Sequence, residues 1–144
     1  MNFKKAQKDV FNNLLDGARV AKFEIDEDYV FITPNGYYGF VFPKVMLQIN
    51  LERIKTINAI DIYAAINEEN KCVLTDECKI LHLPHKGYAR KLKRGETEIF
   101  VNEKYLVYYQ NPNFYIAASN LIVVTENTSK SDNTIVGIVC PMKM

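Results

Sequence analysis

The chain of 144 residues has the length of one domain, and its 48% hydrophobic and 24% charged residues are typical of a folded globular protein rather than a disordered chain. Its formal net charge of +1 gives no overall field that attracts nucleic acid, so contact with phosphates requires a local basic patch. No apolar run approaches the ~20 residues of a membrane span, and the first residues lack the apolar stretch of a signal peptide. The three cysteines make no disulfide framework. We therefore expect a single cytoplasmic domain over residues 1–144 that does not enter a membrane.

The first predicted element is an amphipathic helix over Phe3–Leu15. Its apolar residues recur at intervals of three and four, which places them on one side of a helix. Asn2 precedes the helix as a candidate N-cap, and Gly17 follows it as a candidate C-cap. A shorter second helix is predicted over residues 47–57, where apolar residues again recur at helical spacing.

Elsewhere the hydrophobic period changes to two, which indicates β-strands. Residues 20–25, 29–32 and 37–42, separated by two polar turns, predict a three-stranded antiparallel meander. Further strands are predicted over residues 59–66, 71–83, 97–101, 104–110, 115–125 and 134–139. The sequence therefore predicts a β-rich α+β domain that combines antiparallel meanders with two helices.

No motif in the sequence indicates a catalytic centre, a cofactor or a nucleotide phosphate site. Ligand-type side chains cluster only at Cys72, Cys78, His82 and His85, which in space can form a zinc site or a Cys–His nucleophilic pair. Structural zinc sites place their cysteines two to four residues apart, and this pair does not match that spacing. We therefore predict a protein that is not an enzyme and holds no metal or cofactor, with a small thiol or metal enzyme as the alternative.

A basic stretch over residues 85–94 contains five cationic side chains and one aromatic ring. Such a stretch can hold phosphates without reading the base sequence. The alternative is an exposed loop or short helix whose charges are simply solvated. The candidate DNA-binding residues here are Lys86, Arg90, Lys91, Lys93 and Arg94.

Two pairs of adjacent tyrosines lie in predicted strands, Tyr37 with Tyr38 and Tyr108 with Tyr109. Adjacent side chains of a strand point to opposite faces of the sheet, so one ring of each pair is expected to face outward. An outward ring either covers the sheet or contacts a base or a partner protein.

The last ten residues read IVGIVCPMKM, a β-branched strand followed by Pro-Met, a basic residue and an apolar residue. This ending resembles the C-terminus of bacterial DNA polymerase sliding clamps, whose last strand runs into a Pro-Met-Arg-apolar tail. In that family the tail lines a hydrophobic pocket that captures short peptide motifs of polymerases and other partners. The resemblance implies a partner-binding pocket formed by Val139, Cys140, Pro141, Met142, Lys143 and Met144.

A clamp-like fold also implies helices that present basic residues to duplex DNA on the inner face of a ring. A clamp subunit joins three such domains, so a ring built from this chain requires several copies. Two departures from the family pattern are Lys143, which stands in place of Arg, and Cys140, which stands in place of Met or Leu. The residues that correspond to the DNA-facing positions are Lys4, Lys5 and Lys8 of the first helix and Lys55 of the second.

The resemblance thus implies a non-enzymatic DNA-clamp-like protein, of phage or mobile-element type, that tethers duplex DNA to a peptide of a replication protein and assembles as a homo-oligomer. The alternative is a β-rich protein-interaction or inhibitor module that does not bind DNA.

Overall fold

The computed structural model describes residues 1–17, 19–82, 87–128 and 133–143. Within this part of the chain one α-helix, α1 (Phe3–Leu15), precedes ten strands, and no helix is long and apolar enough to cross a membrane. The strands are β1 (Ala21–Glu24), β2 (Tyr29–Thr33), β3 (Tyr38–Pro43), β4 (Lys55–Thr56), β5 (Lys71–Ile80), β6 (Tyr88–Arg94), β7 (Thr97–Asn102), β8 (Asn113–Ile116), β9 (Ile122–Glu126) and β10 (Thr134–Val139). Short 3-10 turns lie at Lys44–Met46, Leu51–Arg53, Tyr63–Ala65, Glu68–Asn70 and Glu103–Tyr105.

Helix α1 has the predicted bounds and the predicted N-cap. The side chain of Asn2 accepts a hydrogen bond from the backbone N–H of Lys5 at 3.1 Å, which satisfies one of the free donors of the first turn. After the helix, Gly17 has φ +72°, a left-handed conformation that glycine adopts without strain. Both ends of the helix are therefore determined by local residues.

Helix α1 lies on the sheet through Ala6 and Val10, which are fully buried. Between them Asp9 accepts hydrogen bonds from the hydroxyls of Tyr38 and Tyr108, the second at 2.7 Å. Both hydroxyls are removed from water, and Asp9 supplies the hydrogen-bond acceptor that they need there. The contact therefore holds the helix on the sheet without leaving a buried donor unpaired.

The ten strands are hydrogen-bonded in the order β4-β1-β2-β3-β10-β9-β8-β5-β6-β7. Among the strand pairs of the described residues, only the two-residue pairing of β4 with β1 is parallel. The structure confirms a β-rich mixture of α and β with antiparallel strands, including the predicted meander of β1, β2 and β3.

Each face of the sheet carries a hydrophobic core. In β3, Phe40 and Phe42 belong to the core that also contains α1 residues, whereas Val41 belongs to the core on the other face. A strand covered on both faces is apolar at nearly every position, which explains why this segment shows a continuous apolar run.

Strand β5 connects two parts of the sheet. Its first two residues, Lys71 and Cys72, pair with β8, and the following residues pair with β6 across an irregularity between Leu74 and Cys78. The outer strand β7 meets the chain beyond β10 through an antiparallel bridge between Phe100 and Met142. The strands β10, β9, β8, β5, β6 and β7 are neighbours in that order, and the bridge links the last of them back to the segment that follows the first.

The prediction of a second helix over residues 47–57 is wrong. The structure has the turn Leu51–Arg53 and the short strand β4 in this segment. Ile54 is buried in the core on the helix side, while Ile57 packs against the core on the other face of the sheet. Two residues three positions apart share one face of a helix, so a helix cannot send these side chains to opposite cores.

Several strand boundaries also differ from the prediction. The predicted strands over residues 59–66 and 104–110 are absent, and 3-10 turns at Tyr63–Ala65 and Glu103–Tyr105 occupy part of each segment. The single strand predicted over residues 115–125 is two strands, β8 and β9, because the chain turns at Asn120, whose φ is +65°. Strand β5 ends at Ile80, and Leu83, where the predicted strand ended, lies outside the described residues.

Candidate partner-binding site

The residues that follow β10, which we call the C-terminal tail (residues 140–143), run between two strands. The backbone N–H of Cys140 donates to the carbonyl of Tyr37 at 2.8 Å, and that of Met142 donates to the carbonyl of Phe100 at 2.7 Å. Pro141, which lies between them, has no N–H that needs an acceptor. The tail is therefore held by alternate residues, first next to β3 and then next to β7.

A cavity of about 650 Å³ opens beside this tail, and we call it the tail cavity. Its volume lies within the range of sites that bind small molecules or peptide side chains. Three segments form most of its wall: the turn before β3, the end of β5 and the tail itself. The lining residues are Gly36, Tyr37, Ile80, Leu81, His82, Asn102, Tyr105, Cys140, Pro141, Met142 and Lys143.

The wall of the tail cavity includes apolar side chains that the protein leaves open. The relative exposure of Tyr37 is 63%, and that of Ile80 is 70%. Of the lining residues that the structure describes, none is an aspartate or a glutamate, whereas Lys143 adds a positive charge at the rim. The cavity is therefore suited to an apolar group that carries or neighbours a negative charge.

Burial also keeps two titratable lining residues uncharged. It raises the pKa of the Cys140 thiol, and it is the main cause that raises the pKa of the Tyr105 hydroxyl. A thiol with a raised pKa holds little of the nucleophilic thiolate form at neutral pH.

The structure brings together most of the residues predicted for the partner pocket. Cys140, Pro141, Met142 and Lys143 all line the tail cavity. Val139 does not, because it ends β10 and is completely buried in the core beneath. The remaining predicted residue, Met144, lies outside the described residues.

Residues 88–94 of the basic stretch form strand β6 instead of the loop or short helix considered above. Arg90 contacts Glu103 at 3.4 Å and also donates to the backbone carbonyl of Thr75 at 2.8 Å. Lys91 is paired with Glu77 and, at 3.3 Å, with Glu98. These cations are already paired with carboxylates on β5, on β7 and in the 3-10 turn Glu103–Tyr105, which lowers their availability for phosphates.

The other members of the predicted DNA-binding set are dispersed. Lys93 is exposed on β6, Arg94 is half-buried at the end of the same strand, and Lys86 lies outside the described residues. Lys55 lies in strand β4, so it does not come from a second helix as predicted. The remaining three, Lys4, Lys5 and Lys8, are exposed on α1.

Two of the four residues considered for metal binding, Cys72 and Cys78, lie far apart. Cys72 is buried and Cys78 is exposed on the same strand, β5. Two residues six positions apart on a strand lie roughly 20 Å from each other, whereas two thiolates on one zinc each lie about 2.3 Å from the metal. His82 lines the tail cavity and His85 lies outside the described residues, within which no group of three metal ligands is found.

Seven of the eleven residues that line the tail cavity lie outside the tail, and the sequence pattern does not assign them to the partner pocket. Tyr37 carried a usable signal, because the pattern predicted one outward ring in its pair; the structure confirms this, with Tyr38 buried. The same prediction is wrong for Tyr108 and Tyr109, which are both buried and lie outside the strands. The contributions of Ile80 and Tyr105 had no sequence signal, because they depend on how distant segments pack.

Comparison with family models, curated proteins and solved structures gives no match. The function must therefore be inferred from the geometry of the site.

Proposed function

We propose that this chain is a non-enzymatic binding protein that captures a short apolar segment of a partner protein in the tail cavity. The observation that carries the proposal is an open cavity of about 650 Å³ that is lined by exposed Tyr37 and Ile80 and by the C-terminal tail. Exposed apolar side chains around a concave site mark places where another molecule excludes water.

The adaptable part of the cavity is the tail. Met142 is unbranched and polarizable, so its side chain fits apolar groups of different shape. Lys143 and the absence of lining carboxylates among the described residues favour a partner segment with a net negative charge. The proposed partner is therefore a short peptide segment with apolar anchors and an acidic flank.

A library of random peptides displayed on phage provides the probe. The library is selected on the wild-type protein, and the enriched peptides are synthesised and titrated by isothermal calorimetry. We expect enrichment of apolar and acidic residues, because these match the wall and the rim of the cavity. Failure to enrich any shared pattern would contradict the proposal.

Exposed lining residues permit variants that leave the core intact. Tyr37→Ala and Ile80→Ala are each expected to weaken binding of the selected peptide by about tenfold, since truncating a central apolar contact removes its buried area. The matched controls are Tyr63→Ala and Val73→Ala, whose side chains are 57% and 66% exposed and do not line the cavity. Equal loss of binding in the controls would show that the peptide binds elsewhere.

The clamp-like version of the proposal adds duplex DNA as a second partner. It is supported by Lys4, Lys5 and Lys8, which are exposed on one helix and have no ion pair with a carboxylate among the described residues. Three phosphate contacts predict a salt dependence of affinity with a log–log slope of about −3.

Fluorescence anisotropy with a short DNA duplex at increasing salt tests this second partner. Replacing the three lysines by glutamine is expected to remove most of the slope, whereas the single replacement Lys55→Gln is the control on strand β4. A ring also requires several copies of the chain, so sedimentation velocity is expected to show self-association. A monomer that does not bind duplex DNA at low salt would contradict the clamp-like version and leave only the proposal of peptide binding.

A further inference from the structure

Two further cavities meet at one cation, Arg94. The first, of about 430 Å³, lies on the other side of Pro141 and Met142 from the tail cavity. The second, of about 410 Å³, lies beside the turn between β8 and β9. Arg94, Ile116 and Asn120 line both cavities. Glu98 adds a carboxylate to the first cavity, whereas Asn70, which contacts the guanidinium, lines the second.

Arg94 differs from Arg90 and Lys91, two other cations of β6, in having no carboxylate partner among the described residues. Arg90 and Lys91 are paired with glutamates, whereas no described carboxylate lies within ion-pair distance of Arg94, which is half-buried. A cation that is partly removed from water favours an anionic partner, and the planar guanidinium offers paired donors to a carboxylate.

The guanidinium is also held in place by a neutral side chain. Its Nη1 lies 3.5 Å from Oδ1 of Asn70. The orientation of Asn70 is determined in turn, because its Nδ2 donates to the carbonyl of Ala65 at 3.1 Å and its backbone N–H donates to Oδ1 of Asn67 at 3.1 Å. This amide orients the cation without neutralising its charge.

The second of these cavities also determines which anion fits. Asp61 lines it and carries a negative charge, which disfavours a multiply charged group such as phosphate. The remaining wall combines small apolar side chains with polar groups, namely Ile60, Ala64, Ala65, Ile116, Ala117, Ala118, Ser119 and Asn120. This composition suits a single carboxylate attached to a small apolar body.

We propose that Arg94 binds the carboxylate of a small monocarboxylate ligand, supplied either as a free acid or as the carboxyl terminus of a peptide. The first of the two cavities shares Pro141 and Met142 with the tail cavity, but the proposal does not rest on peptide capture there.

N-acetyl-leucine serves as the probe, and N-acetyl-leucinamide serves as its neutral counterpart. Both are titrated into the full chain while the amide resonances of Ser119 and Asn120 are followed by NMR. The acid is expected to give saturable shifts and to bind at least about tenfold more tightly than the amide, since only the acid carries the charge. A pentapeptide with a free carboxyl terminus, compared with the same peptide as an amide, separates the two sources.

Arg94→Gln is expected to lower the affinity for the acid by about tenfold or more, while Arg94→Lys retains part of it because the charge remains. Lys93→Gln is the matched control, an exposed cation one residue away on the same strand. The proposal is overturned if acid and amide bind equally, if inorganic phosphate binds more tightly than the acid, or if Lys93→Gln has the larger effect. The acid-to-amide comparison on the wild-type protein decides the outcome even if the Arg94→Gln variant does not fold.

Discussion

The tail cavity and the basic strand β6 both carry conspicuous sequence patterns, but they differ in what they leave open to a partner. Around the tail, Tyr37 and Ile80 expose apolar surface beside a cavity without carboxylates among its described lining residues. On β6, Arg90 and Lys91 already contact glutamates of neighbouring segments. A run of like charge thus predicts a binding surface only where adjacent strands carry no opposite charge.

The largest expected effect concerns the strand that supports the tail. A Cβ added at Gly137 would overlap the Tyr109 hydroxyl and lie 2.8 Å from the carbonyl oxygen of Gly39. Gly137→Val is therefore expected to destabilise the protein by about 3 kcal/mol, as overpacking of a core does. Urea unfolding measures the change.

The cause of that destabilisation can be separated from general damage to β10. The Tyr109 hydroxyl is buried and has no hydrogen-bond partner among the described residues, so Tyr109→Phe alone is expected to be nearly neutral. In the Gly137→Val variant, adding Tyr109→Phe is expected to recover part of the lost stability, because the overlapping atom is gone. Strictly additive effects of the two substitutions would contradict the proposed clash.

A smaller effect is expected from unpairing a cation on β6. Glu103→Gln removes the carboxylate that pairs with the half-buried Arg90. The free energy of unfolding is expected to fall by about 1 kcal/mol. Glu98→Gln is the matched control, because Lys91 keeps its contact with Glu77 when Glu98 is lost. An equal cost for both variants would show that the pairing on β6 is weaker than its geometry indicates.

The titration of the Glu77 carboxyl tests another ion pair of β6, the one between Lys91 and Glu77. Its hydrogen bond to Lys91 lowers the pKa of the Glu77 carboxyl below the ordinary value. Because the pKa is lower in the folded state, the stabilisation is present above the ordinary pKa and is lost as the pH falls through the folded one. NMR titration of the side-chain carboxyl carbon is expected to show this shift, and Lys91→Gln is expected to move the pKa back upward.

The smallest perturbation is thiol labelling, which compares the reaction rate of Cys140 in the tail cavity with the rates of Cys72 and Cys78 on β5. Cys78 is exposed, Cys140 is half-buried in the cavity with a raised pKa, and Cys72 is buried with a raised pKa. A thiol-reactive dye at neutral pH is expected to label Cys78 first, Cys140 more slowly and Cys72 last. Bound peptide is expected to protect Cys140 alone, and equal protection of Cys78 would place the peptide elsewhere.

Local signals predicted the parts of the fold that depend on neighbouring residues. The periodicity and the Asn2 cap determine α1, and the alternation around two polar turns determines the first meander. The segment over residues 47–57 was misassigned because Ile54 and Ile57 pack in different cores, which helical spacing does not reveal. Tertiary packing determines whether such a segment forms a helix, and the spacing of apolar residues in one sequence does not show how they pack.

The candidate site was predictable to the same extent. The tail residues were found because they are contiguous in the chain, whereas Ile80 and Tyr105 come from segments that meet the tail only in the folded protein. The neutralisation of β6 was missed for the same reason, since Glu77 and Glu98 belong to neighbouring strands rather than to the basic stretch itself.

The most direct test of peptide capture is methyl NMR with the peptide that phage selection enriches most. Met142 lines the tail cavity, whereas Met46 is 52% exposed and does not line it. On titration, the Met142 methyl resonance is expected to shift and saturate while that of Met46 stays in place. A Met142 resonance that does not move, or a Met46 resonance that moves equally, would contradict the capture of a partner segment by the tail cavity.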